Sequence, residues 1–280
     1  MPARLAERYP TAFVTGASAG LGRAFAEMLL AEGVRVWGTA RDAARLTDLA
    51  TRYPALFTPV VLDLGDPEAA ETALMRAARA AGGAFDLVIN NAGYGVFGEF
   101  AATDFAVWQR QLDAMIAATL RVAHGALRGM RERGRGCLVN VASLAVEFPL
   151  PFMSGYNVAK AALSAFSESL IVETAGTGIT VIDFRPGDFR TDFNQAMQTV
   201  SPAATAPDAR VTRAWRALEA HLRAAPPATH AAVDLRRALR RGRSGTVRSG
   251  TWFQARLAPL FARIVPASWR RAIAGRYFGL

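Results

Sequence analysis

The chain has 280 residues, of which 51% are hydrophobic and 20% are charged. This composition is typical of a globular enzyme with one large domain. Cys137 is the only cysteine, which excludes an internal disulfide and suits a reducing compartment. The first residues lack the apolar segment of a secretory signal, and no apolar run is long enough to span a bilayer. We therefore expect a cytoplasmic protein.

Positive charge is concentrated near the C-terminus. The formal net charge is +10, and residues 201–280 hold 15 arginines against Asp208, Glu219 and Asp234. A basic region of this kind is typical of contact with nucleic acid, anionic lipid or an acidic partner protein. The alternative is that the arginines lie on solvated helix faces and bind no partner.

In chain order, short apolar segments alternate with longer helical patterns. The predicted strands are residues 12–15, 34–39, 59–62, 86–89, 137–141 and 179–184. The predicted helices are residues 24–30, 43–52, 68–80, 105–133 and 156–174. Apolar strands that alternate with helices indicate a parallel sheet covered on both faces. Short loops and right-handed crossovers then favour an α/β fold of the doubly wound, Rossmann-like type, with about seven strands.

Beyond residue 192 the pattern changes. We predict a helix over residues 211–223 and a Gly/Ser-rich piece over 241–250, followed by a last apolar strand or turn. Residues 252–278 are amphipathic and are interrupted at Pro266. We predict a single domain over residues 1–280, with 251–280 as an amphipathic, basic C-terminal extension.

A glycine-rich turn lies between the first strand and the first helix. Besides Ala17, it comprises Thr15, Gly16, Ser18, Ala19, Gly20, Leu21 and Gly22. Glycine lets the backbone approach a pyrophosphate closely, and the N-terminus of the following helix attracts the negative charge. In this position between a strand and a helix, the turn predicts a dinucleotide site.

The end of the second strand bears on which dinucleotide is bound. A carboxylate there would bind the ribose hydroxyls of NAD, but this sequence has small residues followed by Arg41. Because an arginine in this place accommodates a 2′-phosphate, Arg41 favours NADP(H). Asp42 favours NAD(H) if the strand ends one residue later. A third interpretation is that Arg41 is simply a surface residue in a turn.

A tyrosine and a lysine follow the fifth predicted strand. Tyr156 and Lys160 are four residues apart on a predicted helix and therefore share a face. Lys160 is the only lysine beside 32 arginines, which suggests a role that needs a compact ammonium group. A neighbouring ammonium lowers the pKa of a phenol and suits it for acid and base catalysis. Ser143 is placed to hold a substrate oxygen beside the phenol.

These residues resemble those of the short-chain dehydrogenases/reductases from about Thr11 to Asp192. The turn matches the family's TGxxxGxG motif, residues 90–93 match NNAG, and Tyr156 with Lys160 matches YxxxK. The resemblance implies that Tyr156 is the general acid and base, that Ser143 orients the substrate oxygen, and that Lys160 binds the nicotinamide ribose. The residues that it implies for cofactor binding are Thr15, Gly16, Ser18, Ala19, Gly20, Leu21, Gly22, Arg41, Asp63, Leu64, Asn91, Ala92, Gly93, Tyr156, Lys160, Pro186, Gly187 and Thr191.

One position departs from the family pattern. Met115 stands where many members have an asparagine that is linked to the lysine through a water. A thioether accepts hydrogen bonds only weakly and donates none. The proton relay then takes another route, turnover is slow, the active conformation differs, or the alignment slips by a residue or two. This departure motivates a rival hypothesis, a non-catalytic NADP(H)-binding sensor or scaffold.

The segments expected around the nicotinamide are apolar. The predicted substrate residues are Ser143, Tyr94, Phe97, Phe189 and Phe193, and residues 193–225 cover the substrate in the resembled family. This predicts a lipophilic or aromatic alcohol or ketone, with plain loop packing as the alternative. No metal site is predicted, because the three histidines have no ligand spacing. The resemblance also implies a homodimer or homotetramer.

Aromatic residues and arginines alternate through the C-terminal extension. Packing against the domain or a neighbouring subunit is the first interpretation of this pattern. Peripheral membrane contact is the second interpretation, and a lipid substrate would favour it. We expect no binding of nucleic acid, since no recognition motif accompanies the charge.

Overall fold

The computed structural model describes residues 4–191, 197–199, 208–257, 261 and 265–280. Seven parallel strands form one sheet in the order β3-β2-β1-β4-β6-β7-β9, and two short strands, β5 and β8, pair separately. The strands are β1 Thr11–Val14, β2 Arg35–Ala40, β3 Phe57–Val61, β4 Leu87–Asn90, β5 Val96–Phe97, β6 Gly136–Val141, β7 Ile179–Pro186, β8 Gln198–Thr199 and β9 Gly245–Ser249. The predicted doubly wound parallel sheet is confirmed.

Helices lie on both faces of this sheet. They are α1 Leu5–Arg8, α2 Gly20–Ala31, α3 Thr47–Arg52, α4 Pro67–Ala81, α5 Phe105–Leu112, α6 Ala118–Arg133, α7 Ser154–Glu173, α8 Ala209–Ala224, α9 Ala228–Arg241 and α10 Ala267–Tyr277. Local sequence explains several of their ends. In α4, for example, the Asp66 side chain accepts hydrogen bonds from the first backbone N–H groups, and Gly82 ends the helix with a φ of 93°, as helix caps commonly do. None of the helices within the described residues is long and apolar enough to cross a membrane.

Several elements differ from the sequence expectations, among them the short α1, β5 and β8, which were not predicted. The predicted helix over 105–133 contains a π-helical turn, Asp113–Ala117, between α5 and α6. Helix α9 was not expected, because its buried face is largely small alanines between arginines. The last strand, β9, lies within the Gly/Ser-rich piece instead of after it, since Val247 pairs with Phe184 at the edge of the sheet.

The two faces of the sheet bury separate apolar cores. One core joins β1, β2, β4 and β6 to α2 and α9, and the other joins the opposite face to α4 and α6. Strand order reverses between β1 and β4, so the helices that follow these strands pack on opposite faces. A crevice therefore opens at the carboxyl ends of the strands, which is where ligands bind in sheets of this type.

Candidate active site

A cavity of about 1160 Å³ occupies this crevice. Its walls come from the ends of the strands at one end and from α8 and the C-terminal extension at the other. Most of the predicted site residues lie on the wall, namely Gly16, Ser18, Ala19, Gly20, Leu21, Arg41, Asp63, Leu64, Asn91, Ala92, Gly93, Tyr94, Ser143, Tyr156, Lys160, Pro186, Gly187, Phe189 and Thr191. The fold thus brings together groups that are spread over about 180 residues of sequence.

The glycine turn is shaped by positions where only glycine fits. Gly16 and Gly20 have φ values of 71° and 54°, a region that other residues rarely adopt. A Cβ atom on Gly22 would lie 2.2 Å from the Gly16 carbonyl oxygen and 2.3 Å from Asn91 Nδ2. Gly22 therefore lies behind the cavity wall and permits close packing of the turn. The turn leads directly into the N-terminus of α2, which favours a negatively charged ligand.

Thr15 also lies behind the wall and joins two loops. Its hydroxyl oxygen accepts hydrogen bonds from the backbone N–H groups of Asn91 and Ala92 at 2.9 and 3.0 Å, and Asn91 Nδ2 donates to the Thr15 carbonyl at 3.0 Å. These bonds hold the loop after β4 against the glycine turn. Thr15 and Gly22 consequently set the shape of the site from behind, whereas the other 14 predicted residues of the glycine turn, the strand ends and the loops lie on the cavity wall.

Two arginines stand at the end of the cavity beyond β2. Strand β2 ends at Ala40, and exposed Arg41 and Arg45 both lie on the cavity wall. The Asp42 carboxylate instead caps the following helical turn by accepting a hydrogen bond from the Ala44 N–H at 2.9 Å. The strand end thus presents positive charge, and Asp42 is engaged locally. Sequence reasoning missed Arg45, which lies in the short helical turn after Asp42.

Ser143 is fixed by the turn that follows β6. Its side-chain oxygen accepts a hydrogen bond from the Ala145 N–H at 3.0 Å, and the hydroxyl groups of Ser143 and Tyr156 are hydrogen-bonded to each other. Helix α7 brings Tyr156 to this point from the other side of the cavity. A carbonyl oxygen that lies between these two hydroxyl groups would be held by both.

Burial raises the pKa of Tyr156 to about 12, against the effect of the Ser143 hydrogen bond, and the charge of Asp188 adds to the rise. The sequence predicted the opposite direction, on the argument that the Lys160 ammonium would dominate. In the structure the Lys160 Nζ lies 5.7 Å from the centre of the Tyr156 ring, and desolvation of the phenolate outweighs it. Tyr156 is therefore a neutral phenol at neutral pH, ready to donate a proton.

Lys160 is only 6% exposed. Its Nζ donates a hydrogen bond to the Val141 carbonyl at 2.6 Å, which directs the ammonium to the carboxyl end of β6. Burial lowers the pKa of Lys160 to about 8, and the negative charge of Asp183 opposes this shift. With this pKa, Lys160 is mostly an ammonium at neutral pH and becomes a neutral amine at slightly higher pH.

Asp183 lies on β7 and is completely buried. Its Oδ2 accepts hydrogen bonds from Ser164 and from Arg185 Nε, each at 2.7 Å. Ser164 is one helical turn beyond Lys160, so this carboxylate lies below the helix face that carries the catalytic candidates. Burial raises the pKa of Asp183, whereas Ser164 and Arg185 oppose that shift.

Met115 lies in the π-helical turn and is 3% exposed. A Cβ atom on Gly93 would lie 3.2 Å from the Met115 methyl carbon, so this side chain packs behind the NNAG loop. Asp113, in the same turn, is on the cavity wall and accepts a hydrogen bond from Gln109 at 2.9 Å. The π turn alters the helical phase, which sequence spacing alone did not reveal.

The predicted substrate residues divide into two groups. Tyr94 and Phe189 lie on the cavity wall, as Ser143 does. Phe97 instead packs in a cluster, with its ring 5.1 Å from that of Trp215 and 5.8 Å from that of Phe152. Its place on a buried two-residue strand turns it away from the cavity. Phe193 lies outside the described residues.

The C-terminal extension forms part of the wall at one end of the cavity. Gln254 Nε2 and the Tyr277 hydroxyl both donate to Asp188 Oδ2, at 2.8 and 3.3 Å, and Tyr277 stacks on His221. The apolar wall residues here are Leu218, Leu222, Phe253, Phe261, Val265, Ile273 and Phe278. The amphipathic pattern predicted that this segment packs, but it did not indicate where.

Among the described residues, no three His, Cys, Asp or Glu side chains are grouped so as to hold a metal. The absence of a metal site stays a prediction.

The fold and the site define the class of protein, a nicotinamide-dinucleotide oxidoreductase built on a parallel sheet. The family model described as short chain dehydrogenase matches residues 10–201. The chain is 32% identical over 186 residues to the 3-oxoacyl-acyl-carrier-protein reductase FabG of Escherichia coli, covering 66% of this chain and 76% of that protein. It is 34% identical over 178 residues to a probable NADP-dependent dehydrogenase of Haemophilus influenzae, covering 63% and 70%.

The solved structure of a short-chain dehydrogenase from Streptomyces avermitilis resembles this chain over nearly its whole length. The TM-score is 0.78 at 28% identity, over 96% of this chain and 98% of that one. The chain therefore belongs to the short-chain dehydrogenase family. Members of this family are oxidoreductases that generally interconvert a carbonyl and an alcohol with a nicotinamide dinucleotide.

The residues present fit such a cofactor. The turn with the positive-φ glycines precedes the N-terminus of α2, which would bind the pyrophosphate. A Cβ atom at Gly22 would clash with the Gly16 carbonyl oxygen in this turn. Arg41 and Arg45 stand at the end of the cavity beyond β2, and buried Lys160 lies on the wall of the same cavity.

Proposed function

We propose that the protein is an NADP(H)-dependent carbonyl reductase or alcohol dehydrogenase that acts on a lipophilic or aromatic substrate. The observation that carries this proposal is the group of Ser143, Tyr156 and Lys160 on the wall of one cavity whose other end is apolar.

Tyr156 serves as the general acid and base. When bound, the cofactor supplies or accepts a hydride at the substrate carbon. Ser143 and Tyr156 hold the substrate oxygen with their hydroxyl groups, and Tyr156 transfers its proton to that oxygen during reduction. Because burial raises the pKa of Tyr156 to about 12, its protonated form prevails at neutral pH, so the phenol has a proton to donate when a carbonyl is reduced.

Lys160 supplies positive charge next to the phenol. As the phenol gives up its proton, the buried ammonium stabilises the phenolate that forms. The Val141 carbonyl orients the ammonium, and Asp183 opposes its loss of charge. Lys160 also binds the nicotinamide ribose in this proposal, as the resemblance implies.

The preference for NADP(H) depends on Arg41 and Arg45. Both lie on the cavity wall beyond β2, while Asp42 is engaged with the Ala44 N–H. A 2′-phosphate is a natural partner for two guanidinium groups. The Haemophilus influenzae relative is named as NADP-dependent, which also supports this preference.

The substrate class rests on the apolar end of the cavity. Aliphatic and aromatic side chains from α8 and the C-terminal extension line the same cavity as Tyr156 and pack in one cluster with it. Residues 193–225 form part of that cover in the proposal, with Leu218 and Leu222 among the described ones. The E. coli relative, named for an oxoacyl substrate, supports a long apolar substrate.

The rival hypothesis is a non-catalytic NADP(H)-binding sensor or scaffold, and Met115 favours it. Tyr156→Phe separates the two, because only an enzyme needs the phenol oxygen. We expect this variant to lose about 10²–10⁴-fold in NADPH-dependent reduction of a broad carbonyl panel, with NADPH affinity retained. If the wild type turns over no member of the panel, the enzyme hypothesis fails.

Members of the family generally act on small molecules and form oligomers. We infer a homodimer or homotetramer and a cytoplasmic location for this protein, and both stay predictions.

A further inference from the structure

Six large apolar side chains form an exposed surface around the C-terminal end of the cavity. We name it the aromatic rim, and it comprises Trp252, Phe253, Phe261, Trp269, Ile273 and Tyr277. Trp252 and Trp269 are 70% and 68% exposed, and Phe253, Phe261 and Ile273 are each more than half exposed. Exposed apolar side chains are common singly, but a group of them indicates an interaction site.

The rim surrounds an opening of the cavity. Phe253, Phe261, Ile273 and Tyr277 line the cavity wall, although each is between 44% and 59% exposed. Such residues stand where the cavity meets the surface. Trp269 and Ile273 are four residues apart in α10 and therefore share one face of that helix.

The charge around the rim has one sign. Residues 251–280 hold five arginines and no acidic residue. Some arginines elsewhere in the described residues are paired, as Arg240 is with Glu32 and Arg248 with Glu147. By contrast, Arg256, Arg270, Arg271 and Arg276 form no ion pair with a carboxylate of the described residues. Of these four, Arg256, Arg271 and Arg276 are exposed and available to an external anion.

The combination of exposed aromatic side chains, two of them tryptophans, with arginines that lack a carboxylate partner among the described residues is typical of a segment that lies in the interface of an anionic bilayer. A second copy of the chain fits less well. A twofold contact would place this arginine-rich surface against itself, and like charges repel.

We propose that the aromatic rim docks on anionic phospholipid membranes, so that the cavity opens toward the bilayer. A lipophilic carbonyl compound that partitions into the bilayer then enters next to Tyr156 without crossing water. Delivery of substrate in this way rests on the proposed function, whereas the docking itself does not.

The test is co-sedimentation of the full chain with vesicles of phosphatidylcholine, with and without phosphatidylglycerol, in the absence of cofactor and substrate. We expect binding to the anionic vesicles that weakens as salt is added. Arg271→Gln/Arg276→Gln should weaken it about fivefold per arginine, with little change on phosphatidylcholine alone. Trp252→Ser/Trp269→Ser should weaken it at least about tenfold, because two large apolar contacts are lost.

The matched control is Phe105→Ser/Val172→Ser, which removes exposed apolar side chains outside the rim (60% and 75% exposed) and should bind as the wild type does. Calorimetry of each variant identifies misfolding, and the salt dependence of the wild type does not depend on any variant. Equal binding by the wild type and the tryptophan variant, or no binding to anionic vesicles, overturns the proposal. Light scattering tests the alternative partner. If the wild type forms a dimer that the tryptophan variant loses, and the wild type does not bind vesicles, the rim is a contact with a second copy and the proposal is also overturned. Because the vesicle experiment does not measure reductase activity, its result distinguishes a failure of membrane docking from a failure of the proposed function.

Discussion

The two ends of the cavity are built in different ways. The end formed by β1, β2 and β4 is made of backbone, glycines and a few fixed polar groups. The end formed by α8 and the C-terminal extension is made of many apolar side chains, each of which supplies a small part of the wall. The first end depends on single positions, so one change there should have a large effect. The second end should respond to substitution in small steps.

Gly22→Ala is expected to have the largest effect. Its Cβ would lie 2.2 Å from the Gly16 carbonyl oxygen, so the glycine turn must move. We expect the free energy of unfolding to fall by about 3 kcal/mol and NADPH affinity to fall by about 100-fold. Denaturant unfolding and fluorescence titration measure the two.

The matched control is Gly275→Ala in α10, where a Cβ would make an ordinary 3.5 Å contact. It should stabilise the helix by about 0.5–1 kcal/mol. If Gly275→Ala lowered the free energy of unfolding and the NADPH affinity as much as Gly22→Ala does, the two ends of the cavity would not differ in their response to substitution.

The pH profile tests Lys160, which lies where the two ends meet. Burial lowers its pKa to about 8, and the Tyr156 phenol stays protonated well above that pH. The ammonium is therefore present below about pH 8 and is lost above it. We expect kcat/KM for NADPH-dependent reduction to be level below this pH and to fall about tenfold per unit above it.

Asp183→Asn sharpens this test. Removing the carboxylate that favours the charged ammonium should move the fall to lower pH. A profile that stays level to pH 10, or a fall that Asp183→Asn moves upward, would contradict the assignment.

Arg41→Ala tests how the cavity selects its dinucleotide. If Arg41 contacts a 2′-phosphate, NADPH affinity should fall about tenfold while NADH affinity stays the same. Isothermal titration with both dinucleotides measures the ratio, and exposed Arg79, changed to alanine, is the control. An unchanged ratio in Arg41→Ala and in Arg45→Ala would remove both residues from the cofactor proposal.

Leu222→Ala is expected to have the smallest effect. It shortens one of several apolar side chains on the wall near Tyr156. We expect KM for a long lipophilic ketone to rise about fivefold, while kcat/KM for a small water-soluble ketone changes little. Equal effects on both ketones would show that Leu222 acts on the fold and not on the substrate.

The sequence by itself determined the parallel sheet, the glycine turn and the Ser143, Tyr156 and Lys160 set. These features depend on short-range patterns, because strand periodicity, turn glycines and helical spacing are properties of neighbouring residues. The resemblance extended this prediction to Asn91, Pro186 and Thr191, which lie far apart in the chain.

Tertiary structure alone decided the properties that depend on burial and on distant contacts. The sequence predicted a lowered pKa for Tyr156, whereas burial raises it to about 12, and no local pattern measures desolvation. The π-helical turn at Met115 and the hydrogen bonds of Gln254 and Tyr277 to Asp188 were also invisible in the sequence. Each arises from groups that meet only once the chain has folded.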